Sequence, residues 1–175
     1  MALGKMPTLI IILFIQAALC WHANAQVSSI PHEWRKIKVL SSNRADVERL
    51  YGKASQESYF VKYTDDRGSI YISYSKGDCR SSSSPMWNVP EWTVIEVGYT
   101  PWRKPPSLKD LIKKQHESRF VSRPHGDTRG FTEYVDENSG FKIVYDDDLK
   151  EVRNVILRPA RGMSEKYNCD KVQQR

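Results

Sequence analysis

The stretch FTEYVDENSGFKIVYDDDLKEVRNVIL, residues 131–157, decides the fold. It contains three short runs, 131–135, 141–145 and 151–157, each rich in β-branched and aromatic residues. Between them lie DENSG and DDDLK, polar segments of the kind that turn a chain back on itself. Connections this short join neighbouring strands in antiparallel order. The stretch therefore reads as a three-strand meander, with Gly140 in a left-handed conformation closing its first turn.

Working back towards the N-terminus, SRPHGDTRG (122–130) reads as loop, and LKDLIKKQ (108–115) as a short helix. Ser107 caps that helix, Asp110 sits at the matching third position, and Leu108, Leu111 and Ile112 form its apolar stripe. WTVIEVGYTP (92–101) is a strand that Pro105 and Pro106 prevent from continuing. ESYFVKYT and SIYISYS, joined by DDRG, read as a hairpin. Tyr59, Val61 and Tyr63 fall on one face of its first strand, and Ile70, Ile72 and Tyr74 on one face of its second. Ahead of them SSNRADVERLYGKAS carries a helix over 44–51, with Asn43 as cap, Asp46 three residues on, Val47, Leu50 and Tyr51 on one side, and Gly52 as stop. The order is α-β-β-β-α-β-β-β. The expected class is α+β, an antiparallel sheet of about six strands with two short helices packed on it.

The first 25 residues read differently. One positive charge, Lys5, precedes the uncharged apolar run TLIIILFIQAAL, and a small-x-small exit, Ala23-Asn24-Ala25, follows. This is the pattern of a secretory signal peptide removed after Ala25, leaving a single exported domain over 26–175. The run of about a dozen residues falls short of the roughly 20 needed to span a bilayer. Cys20 does not make the chain a lipoprotein, because Leu19 occupies a position that requires a small residue. No second apolar segment follows, so no membrane span is expected after removal. Two cysteines then remain, Cys79 and Cys169, and an oxidising compartment favours pairing them. Free thiols, or a mixed disulfide with a partner, are the alternatives. The net charge of +6 includes Lys5, and the removed segment has no acid, so the exported chain carries +5. Its basic residues are dispersed, which suits a solvated surface or attraction to an anionic envelope component. Export and scattered charge both argue against nucleic acid as partner.

LSSNRADVERLYGKAS resembles the S-T-R-A-D-V-x-x-L-L-G pattern of a family of secreted bacterial proteins of unknown function. Further likenesses are YSKGDC, WNVPEWTVIEV, SLKDL, the late GF hairpin, and LRPA before a terminal Cys. Here Asn43 stands where that family has Thr, and Tyr51 where it has Leu. More distantly, the helix is similar to that of SmpA/OmlA (BamE-type) proteins, small α+β proteins that act by binding. This chain departs from those in lacking an acylated Cys and a Pro after Gly52. The resemblance implies a non-catalytic domain of that fold class.

No cofactor motif, nucleophile elbow, phosphate loop or metal-ligand spacing occurs in the sequence. Ser73 and Lys76 match S-x-x-K, yet in a strand these positions point to opposite faces. His125 and Asp127 could pair within a loop, and Asp136, Asn138 and the carboxylates at 146–148 fall in turns. The more suggestive group is Trp87, Trp92 and Trp102 with Arg103, aromatics bracketing the third strand beside a cation. The leading reading is an exported, non-catalytic domain acting by protein or cell-envelope contact through those four residues. The alternative is a small secreted hydrolase using His125 and nearby carboxylates. A third reading places binding on a broad sheet face, and a solvent-open face lined by alternate strand residues would favour it.

Overall fold

The computed structural model describes Trp34 and residues 36–79, 87–114, 119–126 and 128–172. The signal peptide expected over 1–25, the leader after it and the serine loop at 81–84 lie outside these. Helix α1 is Arg44–Tyr51, and strands β1 (Phe60–Thr64), β2 (Gly68–Tyr74) and β3 (Val94–Pro101) follow. Next come α2 (Leu108–Lys114), then β4 (Val121–Pro124), β5 (Phe131–Asp136), β6 (Phe141–Asp146) and β7 (Glu151–Leu157). Two further helices, α3 (Arg161–Tyr167) and α4 (Cys169–Val172), close the described chain.

The capping box of α1 forms as its residues require. Asn43 Oδ1 accepts from the Asp46 N–H at 3.1 Å, and Asp46 Oδ2 accepts from the Asn43 N–H at 3.0 Å. Ser107 Oγ accepts from the Asp110 N–H at the start of α2.

The strands make one antiparallel sheet, ordered β1-β2-β3-β7-β6-β5-β4. Two departures from the sequence reading stand out. Among the described residues there are seven strands rather than about six, because Val121 and the first three residues of the stretch read as loop (122–130) pair with β5, from Val121↔Val135 to Pro124↔Thr132. This is an edge strand exposed at all four positions, so it needs no apolar alternation, and a terminal proline is tolerated there. The second departure is α3 and α4, two helices beyond the two that the sequence reading assigned. Arg161 N–H donates to the Glu137 carbonyl, and Asn88 N–H donates to the Tyr167 carbonyl, so neighbouring loops anchor these helices.

Side chains alternate between two faces. On the first lie Val61, Ile70, Ile72, Val97, Tyr99, Val155, Ile143 and Phe141, which form one apolar cluster with Trp34, Ile37, Val47 of α1 and Leu111 of α2. Val47, Ile72, Val97, Ile143 and Val155 are wholly inaccessible to solvent. Each such side chain contributes roughly 1.5–3 kcal/mol by leaving water. The second face carries the alternate residues. One row crosses all seven strands in register: Lys62, Tyr71, Gly98, Ile156, Lys142, Val135 and Val121.

Cys79 and Cys169 are joined, with Cα atoms 5.5 Å apart and 90 residues between them in sequence. The bond ties the end of β2's exit loop to α4. Cys169→Ser should lower the unfolding free energy by about 4 kcal/mol, the loop-closure figure for a ring of this size, as read from urea titrations under oxidising conditions. A backbone test is also available at Gly140 (φ 72°), where a Cβ would overlap the Arg158 carbonyl. Gly140→Ala should cost roughly 2–4 kcal/mol. Gly52→Ala, also at positive φ but with open space around it, should cost only about 1 kcal/mol in the same titration.

Candidate functional site

The four residues singled out by the sequence do not form one patch. Trp92 and Trp102 lie beyond opposite ends of the eight-residue β3, a strand about 25 Å long by its rise per residue. Trp92 serves the fold. Its ring stacks on Tyr59 (4.3 Å between centroids), meets Tyr74 edge-on, and lies under the Arg44 guanidinium at 4.8 Å. Its carbonyl accepts from the Arg44 N–H, so it docks the start of α1 on the sheet. Half-buried Trp87 bridges to Asn168, beside the disulfide. Trp102 is 53% exposed and Arg103 is exposed, both just past β3 where Trp102 N–H donates to the Arg67 carbonyl.

Lys76 extends its ammonium over Tyr59 (5.9 Å), and Ser73 lies on the second face of β2, so they share no site. Asp136 accepts from the Asn138 N–H and the Ser139 hydroxyl, and Asp146 from the N–H groups of Asp148 and Leu149. Both carboxylates organise turns. Asp127 lies outside the described residues. His125 is instead partnered by Glu133, with Nδ1 2.6 Å from Oε1.

That contact opens onto a dense charge cluster of the second face, which the sequence reading missed. Glu133 is nearly buried, and three cationic or basic groups converge on it: Lys142 Nζ at 2.8 Å, Arg123 Nε at 3.1 Å and His125. Register dictates the grouping. Arg123 faces Glu133 across the β4–β5 ladder, and Lys142 lies one position diagonally along β6. Burial pushes the Glu133 carboxyl upward, but the hydrogen bonds from Lys142, His125 and Arg123 outweigh it and bring it down to about 2. The available signal was Lys142 itself, a lysine inside the apolar run FKIVY, where a strand must present it opposite the core.

Beside this cluster the second face and α3 enclose an open cleft of about 240 Å³. Arg123, Val135 and Lys142 come from the sheet, Glu137 and Gly140 from the β5–β6 turn, and Arg158, Pro159, Arg161 and Ser164 from the final strand exit and α3. At the opposite edge of the same face, Phe60 is 56% exposed and stacks on Tyr71 at 5.7 Å, with the Lys62 ammonium 5.5 Å from the Tyr71 ring. No helix among the described residues is long and apolar enough to cross a membrane.

No protein-family model matches the chain, and no curated protein matches it. Among solved structures, the chain is similar to a DUF4309 family protein (YjgB) from Bacillus subtilis subsp. subtilis str. 168, with 14% identity and a TM-score of 0.49 over 74% of this chain and 86% of that one.

The Glu133 cluster has a pH signature. A carboxyl held near 2 in the folded chain, against an ordinary value of 4.5, stabilises the fold at any pH above the unfolded value. That contribution, on the order of 3 kcal/mol, is lost as pH falls from about 5 towards 2. Glu133→Gln leaves Lys142 buried without a counter-charge and should cost roughly 3–5 kcal/mol at pH 7. The variant's stability should also fall less steeply than the parent's between pH 5 and 2, measured by urea titration at each pH.

Proposed function

We propose that the protein is an exported, non-catalytic binding domain spanning residues 26–175, and that it holds an anionic polymer of the cell envelope on the second face of its sheet. The observation that carries this reading is the division of the sheet. One face is filled with apolar side chains and helices. The other offers a register row of alternate strand residues, with exposed Phe60 stacked on half-buried Tyr71 at one edge and cations at the other. Rings such as Phe60 and Tyr71 present flat apolar surface to a sugar, and Lys62 beside them supplies positive charge. The exported chain's net charge of +5, which is the full chain's +6 less Lys5, favours an anionic partner. The signal-peptide pattern and the Cys79–Cys169 bond support delivery to an oxidising compartment outside the cytoplasm. Trp102 and Arg103 form a separate contact at the far end of β3 in this reading, while Trp87 and Trp92 hold the fold.

The marked residues of the α1 motif are caps and core positions, so this helix braces the sheet and is not itself the binding surface. A hydrolytic role is the second reading, favoured by the His125–Glu133 contact, which resembles a base held by an orienting carboxylate. It requires a nucleophile at Nε2, and no described hydroxyl or thiol is bonded there.

Purified protein should co-sediment with bacterial envelope stripped of its proteins by protease, and rising salt should release it. Phe60→Ser/Tyr71→Ser should abolish retention while the protein keeps a single cooperative urea transition. Retention only before protease treatment, or indifference to the double substitution, refutes the proposal.

A further inference from the structure

The cleft between the second face and α3 has the composition of an oxyanion site. Four cationic side chains, Arg123, Lys142, Arg158 and Arg161, line it with a single carboxylate, Glu137. Existing ion pairs hold each cation in place and use only part of its donor capacity. Arg123 contacts Glu133 through Nε, and Arg158 contacts Glu96 through Nε. Among the described residues the Nη groups of both arginines have no protein acceptor. A guanidinium fixed through Nε keeps its two Nη nitrogens together at the far end, the arrangement that grips a phosphate. Lys142 Nζ, itself almost buried, gives one of its three hydrogens to Glu133.

Shape adds a second constraint. A cleft of about 240 Å³ exceeds the room a bare phosphate fills, and Val135, Gly140 and Pro159 give it uncharged surface. The turn supporting it is rigid, because Arg158 N–H donates to the Gly140 carbonyl and Arg161 N–H to the Glu137 carbonyl. Gly140 tolerates no Cβ, which keeps the backbone of the turn against residues 158–159.

We propose that this cleft binds a phosphate ester of a sugar or small polyol, with the Arg123 and Arg158 forks and Lys142 on the phosphate and the organic body over Val135 and Pro159. It rests on the envelope-polymer reading for its biological source, since a phosphate-bearing polymer would supply such a group, but its chemistry is testable alone.

The probe is glucose 6-phosphate, titrated calorimetrically into the full-length secreted protein at low salt, with glucose and inorganic phosphate as comparisons. Glucose 6-phosphate should bind saturably, inorganic phosphate more weakly, and glucose not at all. Arg123→Gln/Arg158→Gln should weaken binding by at least roughly tenfold, and Arg158→Lys, which keeps the charge and loses the fork, by a few-fold. Arg49→Gln, on α1 away from the cleft, should bind as the parent does. Absence of saturable binding, glucose matching its phosphate, inorganic phosphate matching the ester, or full binding by the double variant each overturns the assignment. Should the double variant fail to fold, Arg158→Lys alone decides. Arginine-dependent binding of the ester without retention on stripped envelope would sink the polymer reading and leave this site standing. Retention insensitive to both arginines would do the reverse.

Discussion

Three residue pairs hold this protein together as one sheet. Val97↔Leu157, Gly98↔Ile156 and Tyr99↔Val155 join β3 to β7, and they are the ladder contacts between the β1-β2-β3 meander and the β7-β6-β5-β4 meander. Every other strand pairing links strands adjacent in sequence. The seam is short for the span it closes, and side chains reinforce it. Thr100 Oγ1 donates to Asn154 Oδ1 at 2.5 Å, and Arg158 pairs with Glu96, both across the join on the second face. On the core face Val97, Tyr99 and Val155 are buried in the shared apolar cluster. The disulfide and the Trp87–Asn168 bridge then clamp the two halves at the C-terminal end.

The seam also dictates what the second face can be. Once β3 and β7 are in register, the odd-even alternation of all seven strands is locked, because a slip by one residue would turn the apolar set outward. The row from Lys62 to Val121 is the result. Its central member, Gly98, carries no side chain and leaves a gap between Tyr71 and Ile156 that a methyl group would fill at ordinary contact distance. A smooth centre flanked by aromatics on one side and cations on the other is therefore a consequence of register.

The parts of this fold that local chemistry dictates were legible in the sequence. The α1 capping box, the DENSG and DDDLK turns and the alternation in β1, β2 and β3 each depend on residues within a few positions of one another. The seam was not legible, since pairing strands some 50 residues apart leaves no mark in either one. Strand β4 was hidden for the opposite reason: an edge exposed on both faces has no apolar pattern to read. The charge cluster failed to show because Arg123, His125 and Glu133 look like ordinary surface groups in sequence, and Lys142 within FKIVY marks only the face it takes. Only register reveals that they share one face. The aromatic group misled in the complementary way, because Trp92 was visible as a ring but its burial under Arg44 and against Tyr59 depends on where α1 docks.

The Glu133–Lys142 pair bears on why such a cluster exists at all. Taking both ions nearly out of water costs several kcal/mol each, and their attraction only roughly offsets that, so a well-packed apolar pair would serve stability as well or better. A strand position facing away from the core imposes no need for a buried lysine. What the pair does accomplish is orientation: Glu133 fixes the lysine, the Arg123 guanidinium and the His125 ring at once, each through a single atom. Held cations lose less conformational entropy on meeting an anion than mobile ones do, which is the physical basis of preorganised recognition. The arrangement offers the fold no more than a packed apolar pair would, whereas its held cations suit the proposed capture of an anion.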